Sequence, residues 1–523
     1  MLDNRPHLRD AIALIAAGGI AATGFQPLAL WPLTLATLAF LIDRIEHARS
    51  WRSAFWRGWL FGLGLFTVGN GWIATAFTYQ AEMPTWLGWI AVVLLALYLA
   101  LWPAFAALGA WFLQRRFKAA VVPALAACWI VSEWLRAWVF TGFAWNPLAM
   151  VTLGPFARPG LAHAAAWLGT YALSGLVVLL AGYWLFALRA LRGRKWPLAA
   201  AYAFGPLVLF LLPLTGDHRE GTLPYTLVQP DTRQDEINDP RKFESQFQTT
   251  AGLSLAHNPA QQRLVLWPEG GVPDYLRPGY QRFWYEQTTY ASDPDVARAR
   301  IGRVIGPGAL LFTGATDLAQ QGNHDITGAW NVITAIDGTG TIRGSYAKAH
   351  LVPYGEYLPM RGLLEPVGLS RFVAGTLDFF SGPGPRTIDF GPFGKAGFQI
   401  CYEIIFSGEV VDRAHRPDYI FNPSNDGWFG SWGPPQHLAQ ARMRAIEEGL
   451  PVLRSTTTGI SAVIDADGIV RQHVPRLVAG RLDGRVPPAH PPTLFARTGN
   501  VLGLCWAAVL LLLALVATRR RGR

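Results

Sequence analysis

Eight long apolar runs decide what this chain can become. They cover roughly residues 8–25, 27–43, 56–77, 86–112, 119–140, 161–188, 196–214 and 498–518. A bilayer core takes about 20 apolar residues per helix. The runs therefore read as seven membrane spans, a long polar stretch and an eighth span. The second run is short and the fourth and sixth are long, which calls for tilted or irregular helices. The first has the look of a signal peptide, but no small-residue cleavage site follows it and further spans come soon after, so it reads as a retained span. The expected organisation is a membrane domain over 1–214, an exposed domain over 215–497, and a last span with a basic tail over 498–523.

The formal net charge of +10 suggests a nucleic-acid partner only until it is located. Residues 215–498 hold 26 Lys/Arg against 29 Asp/Glu, a balance of −3. The remainder holds 19 against 6, or +13. The basic excess thus lies in the apolar part, and the slightly acidic polar domain argues against a phosphate-backbone partner. Segments around residues 5–9, 44–57, 115–118, 189–195 and 519–523 carry 17 basic residues, while the loops near 26, 78–85 and 141–160 carry Arg158 alone. The positive-inside rule then puts both termini in the cytoplasm and the polar domain in the periplasm of a two-membrane bacterium. Glu133 and Arg136 stand i, i+3 in the outer half of the fifth run. They read as a functional pair in the membrane or as a self-neutralising pair that orients the helix.

Of the three cysteines, Cys128 and Cys505 fall within spans, where a small apolar thiol is ordinary. Cys401 is alone in the polar domain, so no disulfide closes within it. A lone thiol facing an oxidising compartment is either a nucleophile or a buried inert side chain. Residues 225–230, 263–269, 309–316, 330–337, 395–403, 418–424, 451–459 and 461–467 read as strands, with a strand-like segment before Lys348. Residues 240–256, 276–300, 404–414 and 435–449 read as helices. That is a layered α/β pattern.

Three polar side chains stand where strands end. Glu269 closes LVLWPE before Gly270 and Gly271, a position where α/β folds place chemistry; the plainer reading is a surface turn. Lys348, in SYAKAHLVPYGEYLP, suits a fixed positive charge for a developing oxyanion, and Glu356 lies close enough in sequence to orient it. The domain holds 23 Arg but three Lys, so a compact charge looks chosen there. Cys401 closes GFQIC before YEIIF, and a thiol at such a strand-to-helix turn is expected to be exposed with a lowered pKa. Glutamate, lysine and cysteine together fill the roles of proton carrier, electrostatic stabiliser and nucleophile.

WPEGGVPD around Glu269, YAKAHLVPYGEYLP around Lys348 and ICYEIIF around Cys401 resemble the three signature segments of the nitrilase, or carbon–nitrogen hydrolase, superfamily. SNDGWFG (424–430), PQHLAQARMRAIEEGLPVLRSTTTG (435–459), FTGFAWNPL (140–148) and the seven-plus-one layout narrow the resemblance to the apolipoprotein N-acyltransferase family. The resemblance implies an α-β-β-α sandwich beside a helical membrane bundle, with Glu269 as general base, Lys348 as oxyanion stabiliser and Cys401 as nucleophile. It implies supporting or substrate roles for Glu356, Tyr402, Glu403 and Trp428. The implied partners are a phospholipid acyl donor, typically phosphatidylethanolamine, and a diacylglyceryl apolipoprotein acceptor. A thioester carries the acyl group, so no cofactor and no metal is implied. A membrane-tethered amidase with water as acceptor, and a non-enzymatic lipoprotein chaperone, are the competing readings. One departure stands out: where family members carry a Trp in the loop after the first strand, this loop reads TRQDEINDPRKF, with Ile237 nearest. Leu363, Leu364, Phe379 and Phe380, in the stretch 355–385, read as a lipid-facing lid or as core beneath a long loop.

Overall fold

The computed structural model describes residues 8–79, 84–211, 220–258, 261–321, 325–364, 366 and 377–519. Apolar runs become helices because only internal hydrogen bonds satisfy a backbone in lipid. They are α1 (Leu8–Ala21), α2 (Trp31–Glu46), α3 (Trp51–Gly69), α4 (Ile73–Ala76), α5 (Trp86–Leu99), α6 (Leu101–Phe117), α7 (Val121–Arg136), α8 (Ala165–Arg192) and α9 (Trp196–Leu211). Among the described residues, two stretches, Trp86–Phe117 and Leu161–Arg192, are long and apolar enough to cross a membrane. A third is formed by α3 with Ile73–Tyr79, bent by 48° at the break. The other runs give shorter helices: α1, α2 and α7 have 14, 16 and 16 residues. The eight full-length spans expected from hydropathy are therefore not all met by these lengths. The tail residues 520–523 and Arg5 lie outside the described residues.

Small residues let these helices approach closely. A Cβ on Gly18 of α1 would meet the Phe61 carbonyl oxygen at 1.9 Å, and one on Gly64 of α3 would meet that of Ile15 at 1.9 Å. Near the start of α8, Gly169 takes φ +74°, which interrupts the helix, and the Phe495 ring fills the space a side chain would need.

The polar domain holds two six-stranded sheets. The first contains β1 (Pro224–Gln229), β2 (Arg263–Leu266), β3 (Ala309–Gln321), β4 (Asp325–Asp337) and β5 (Ile342–Ala347). The second contains β6 (Thr387–Asp389), β7 (Lys395–Phe398), β8 (Tyr419–Ser424), β9 (Val452–Thr456), β10 (Ser461–Ile464) and β11 (Val470–Val474). The last strand, β12 (Gly480–Arg485), returns to the first sheet and pairs antiparallel with β1. The orders are β12-β1-β2-β3-β4-β5 and β11-β10-β9-β8-β7-β6. In each sheet three neighbouring strands are parallel, β1-β2-β3 and β7-β8-β9, and the flanking pairs are antiparallel.

The sheets face each other through Leu227, Leu264 and Phe312 on one side and Phe398, Tyr419, Phe421 and Leu453 on the other. Helices α10 (Phe243–Ser254) and α12 (Pro294–Ile305) cover the first sheet, packing Phe247, Ile301 and Ile305 on Val265 and Leu311. Helix α11 (Arg282–Thr288) precedes α12, and α13 (Arg361–Leu364) lies in the long loop after β5. Helix α14 (Gly433–Glu448) covers the second sheet, and α15 (Leu494–Thr498) leads into α16 (Val501–Arg519). Leu438, Ala441 and Ala445 of α14 share one buried cluster with Ile420 and Val452 of the sheet, Ala127 and Ile130 of α7, Trp145, Ala172 of α8 and Ala507 of α16. The α-β-β-α sandwich is thus extended on one side by the helical bundle.

Three local expectations are corrected. Residues 276–300 do not form one helix, because Asp293 caps a new helix at Asp295 and Val296 with Pro294 in its first turn. Residues 404–414 form no α-helix: Cys401 takes φ +52° and opens a 3₁₀ turn over Cys401–Ile405. Cys401 also lies beyond β7, which ends at Phe398. The short or polar strands β6, β11 and β12 went unread.

Candidate active site

Glu269 sits three residues past β2, after Trp267 and Pro268. Its Oε1 accepts from Asn331 Nδ2 at 2.8 Å, and its Oε2 accepts from the backbone N of Asn425 at 2.7 Å. Lys348 follows β5 directly, and its backbone N donates to the Asn331 carbonyl at 2.9 Å. Its Nζ lies 3.0 Å from Glu356 Oε1 and 3.6 Å from Glu269 Oε1, with a side chain only 1% exposed. Asn331 Nδ2 also donates to Glu356 Oε1 at 3.0 Å, and Glu356 Oε2 accepts from the backbone N of Val352 at 2.8 Å. One ammonium and one amide therefore hold two carboxylates side by side. Burial alone would lower the Lys348 ammonium, but Glu356 and Glu269 outweigh it and hold it above the usual lysine range. The charge is permanent, and a fixed charge of this kind suits stabilisation of a developing oxyanion.

Cys401 is brought into this group and is buried. Burial pushes its thiol up, the Glu269 carboxylate adds to that, and Lys348 opposes it. The expectation of an exposed, low-pKa sulfur is corrected: desolvation exceeds any helix-end effect, and the turn after Cys401 spans only five residues. The resting sulfur is a thiol, and a thiol acts as a nucleophile only with a base to take its proton.

Glu403 is more than a neighbour of Cys401. Its Oε2 accepts from the backbone N of Ile400 at 2.7 Å. Its Oε1 accepts from Tyr346 Oη at 2.8 Å and from the backbone N of Ala349 at 2.7 Å. It ties the Cys401 turn to the chain on either side of Lys348. The Tyr402 hydroxyl donates to the Gly142 carbonyl at 3.3 Å, so the turn also touches the segment between α7 and α8. Trp428, half-buried, lies edge-on to Tyr79 with ring centroids 6.0 Å apart. Ile237 stands near the loop after Glu269: a Cβ on Gly270 would meet its Cδ1 at 3.5 Å.

The stretch after Glu356 is partly tied down. Phe379 bridges to Ala329, and the backbone N of Phe380 donates to the Ala329 carbonyl at 2.8 Å. Phe380 leans on Trp330 and stays 38% exposed. The side chains of Leu363 and Leu364 lie outside the described residues. Glu133 accepts from Trp129 Nε1 and from the backbone N of Leu148, both at 2.9 Å, and Arg136 donates to the Trp145 carbonyl at 2.8 Å. The pair thus supports the chain over 145–148, beneath the polar domain.

Sequence reading missed Asn331, which holds both glutamates at once. Its signal was a polar residue within the apolar strand AWNVITAI, where an amide is buried only with partners.

Comparisons with known proteins place the chain in a family. The family described as "Apolipoprotein N-acyltransferase N-terminal domain" matches residues 17–183, and "Carbon-nitrogen hydrolase" matches residues 227–478. A Bradyrhizobium diazoefficiens protein named "Apolipoprotein N-acyltransferase" is 36% identical over 98% of this chain and 95% of its own length. A Caulobacter vibrioides protein of the same name is 34% identical over 99% and 96%. Among solved structures, a nitrilase-superfamily amidase from Nesterenkonia covers 52% of this chain and 92% of its own, at 18% identity and a TM-score of 0.35. At that identity, over nearly the full length of both chains, the protein belongs to the apolipoprotein N-acyltransferase family.

Proposed function

We propose that the chain moves a fatty acyl group from a membrane phospholipid to the N-terminal amine of a diacylglyceryl-cysteine apolipoprotein. The observation that carries this reading is the charge cluster of Glu269, Lys348 and Cys401, set on the side of the sandwich that joins the membrane helices.

In the first step Glu269 takes the Cys401 thiol proton as sulfur attacks the ester carbonyl of the phospholipid. Lys348, held by Glu356, faces the tetrahedral oxyanion. The carbon–oxygen bond breaks, the glyceryl oxygen leaves with the proton from Glu269, and a lysophospholipid departs from an acyl thioester. In the second step the apolipoprotein amine attacks that thioester. Glu269 accepts an amine proton and returns it to the sulfur as the amide forms. Thiol activation by a base belongs to this scheme because the resting sulfur is protonated. Phosphatidylethanolamine is the favoured donor. Tyr402 and Trp428 lie toward the membrane side, where both lipid-anchored substrates arrive.

The reading includes residues 1–214 as a seven-span membrane domain, 215–497 as a periplasmic catalytic domain, and 498–523 as the last span with its cytoplasmic tail. Purified protein incubated with phospholipid and a diacylglyceryl peptide tests it. The expected products are an N-acylated peptide and, before peptide is added, one acyl adduct on Cys401. Free fatty acid without N-acyl peptide would establish the hydrolase instead. An adduct on Cys128 or Cys505 would remove Cys401 from the mechanism.

A further inference from the structure

A second buried polar group lies behind the nucleophile. The His437 Nε2 is 3.0 Å from the Cys401 carbonyl oxygen. Its Nδ1 lies 2.9 Å from Asp426 Oδ1 and 3.0 Å from Arg454 Nη2. Arg454 donates to both Asp426 oxygens at 2.8 Å. All three side chains are fully buried, although the sequence gives them to different elements: β9, the turn after β8, and α14. A carbonyl has no proton to give, so His437 Nε2 must carry one whatever the charge on the ring.

The residue this bond reaches is a non-glycine at φ +52°. Left-handed backbone is unfavourable for a side chain with a Cβ and persists only where its surroundings hold it. Here three backbone groups along the approach are tied. The Gln399 carbonyl accepts from Asn422 Nδ2 at 2.6 Å, the Ile400 N–H donates to Glu403, and the Cys401 carbonyl accepts from His437. His437 also packs against the Trp145 ring of the membrane part, with centroids 5.2 Å apart.

We propose that His437, oriented by Asp426 and Arg454, is the positioning residue of the nucleophile: it pins the Cys401 carbonyl and so keeps the sulfur aimed at the Glu269–Lys348 group. The inference rests on the reading of Cys401 as nucleophile. His437 touches no reacting atom, and its effect passes through the backbone of Cys401.

The experiment compares His437→Gln with His437→Asn in the full-length protein reconstituted with phospholipid. Gln places an N–H where Nε2 stands, whereas Asn falls short of it. The readouts are the single-turnover rate of Cys401 acylation, followed by mass spectrometry, and its dependence on phospholipid concentration. His437→Gln is expected to acylate at close to the parent rate. His437→Asn is expected to lose on the order of 10²-fold in the maximal rate, the scale of a misplaced reacting group, with half-saturation unchanged. Equal rates for the two variants, or a change confined to half-saturation, would overturn the proposal. So would loss of folding in both, because that marks a histidine needed only for the core. Absence of acyl–Cys401 in the parent protein is a different failure and strikes the proposed function itself.

Discussion

Lys348 is the cation that separates two carboxylates at the proposed site. It is 1% exposed between Glu356 and Glu269, and removing it leaves two half-buried carboxylates close together without a counter-charge. Lys348→Met is therefore expected to lower single-turnover acylation by ~10²–10³-fold, the loss seen when an oxyanion donor is removed. Lys348→Arg is expected to fare little better, because a planar fork does not fill the space of a compact ammonium. Quantified acyl–Cys401 checks both, and parent-like acylation in the Met variant would end Lys348's assignment. The sulfur gives a second measurement. Burial and Glu269 raise the Cys401 thiol, so its thiolate fraction at neutral pH is below that of a free cysteine. Alkylation by a small neutral reagent is expected to be slower than for free cysteine at pH 7.5. Its rate should still climb at pH 10, where a free thiol has levelled off. A plateau near pH 7 would show a low-pKa thiolate and contradict the burial argument.

Helix α14 is the element whose surroundings matter most. Its sequence, GPPQHLAQARMRAIEE, is polar enough for a surface helix, yet Gln436 through Glu448 are all buried, because the second sheet takes one side and the membrane helices the other. Such a helix must place its charges on partners. Arg442 donates to the carbonyls of Gly154, Pro155 and Arg158, Arg444 donates to Thr170 Oγ1, and Glu447 accepts from the backbone N of Thr170 at 2.6 Å. Glu448 is the exception: neither oxygen has a hydrogen-bond partner among the described residues, and burial, reinforced by Glu447, pushes it up to about 7. The folded state thus holds a proton that the unfolded chain has lost between about pH 4.5 and 7, so stability falls as pH rises across that window. The lost stability above pH 7 is on the order of 3 kcal/mol. Glu448→Gln is expected to raise the melting temperature by several degrees at pH 8 and to leave it unchanged near pH 4.5. A lower melting temperature at pH 8 would show that the ionised carboxylate is stabilising. The same helix marks what sequence could show. Strands β1, β3, β8 and β9 were legible because apolar, β-branched runs announce them, and Glu269, Lys348 and Cys401 drew notice as polar groups just past strand-like runs. The middles of β11 and β12 are Arg, Gln, His and Asp at sheet edges, where no apolar period is needed. Asn331 and His437 act across tens of residues, so spacing carried no trace of them. The Cys401 turn was misread as helical because its left-handed residue has no compositional signature.

At the scale of the whole molecule, the two ends of the helical bundle differ in charge and in what they contact. At one end, Arg189 pairs with Asp43 and Glu46, Arg115 donates to the Ala48 carbonyl, and Arg192 and Arg194 are exposed nearby in sequence. At the other, the chain over 142–170 meets the polar domain through Tyr402, Gln436, Arg442 and Glu447. The uneven distribution of basic residues in the sequence is thus realised as one basic end and one end capped by the catalytic sandwich. In the proposed topology the basic end faces the cytoplasm and the sandwich the outer face. The arrangement is checked with single-cysteine reporters in a Cys128→Ser, Cys401→Ser, Cys505→Ser background, carried in cells that keep a functional copy. Arg241→Cys lies on the first sheet's flank, where the native side chain is 89% exposed, and Arg192→Cys lies at the basic end. A membrane-impermeant maleimide added to cells with a permeabilised outer membrane is expected to label the Arg241 position and to spare the Arg192 position. Disruption of the inner membrane is expected to expose the Arg192 position as well. The reverse pattern would place the sandwich in the cytoplasm, away from the outer leaflet where the proposed acceptor is anchored, and would remove the physical basis for acyl transfer at this site.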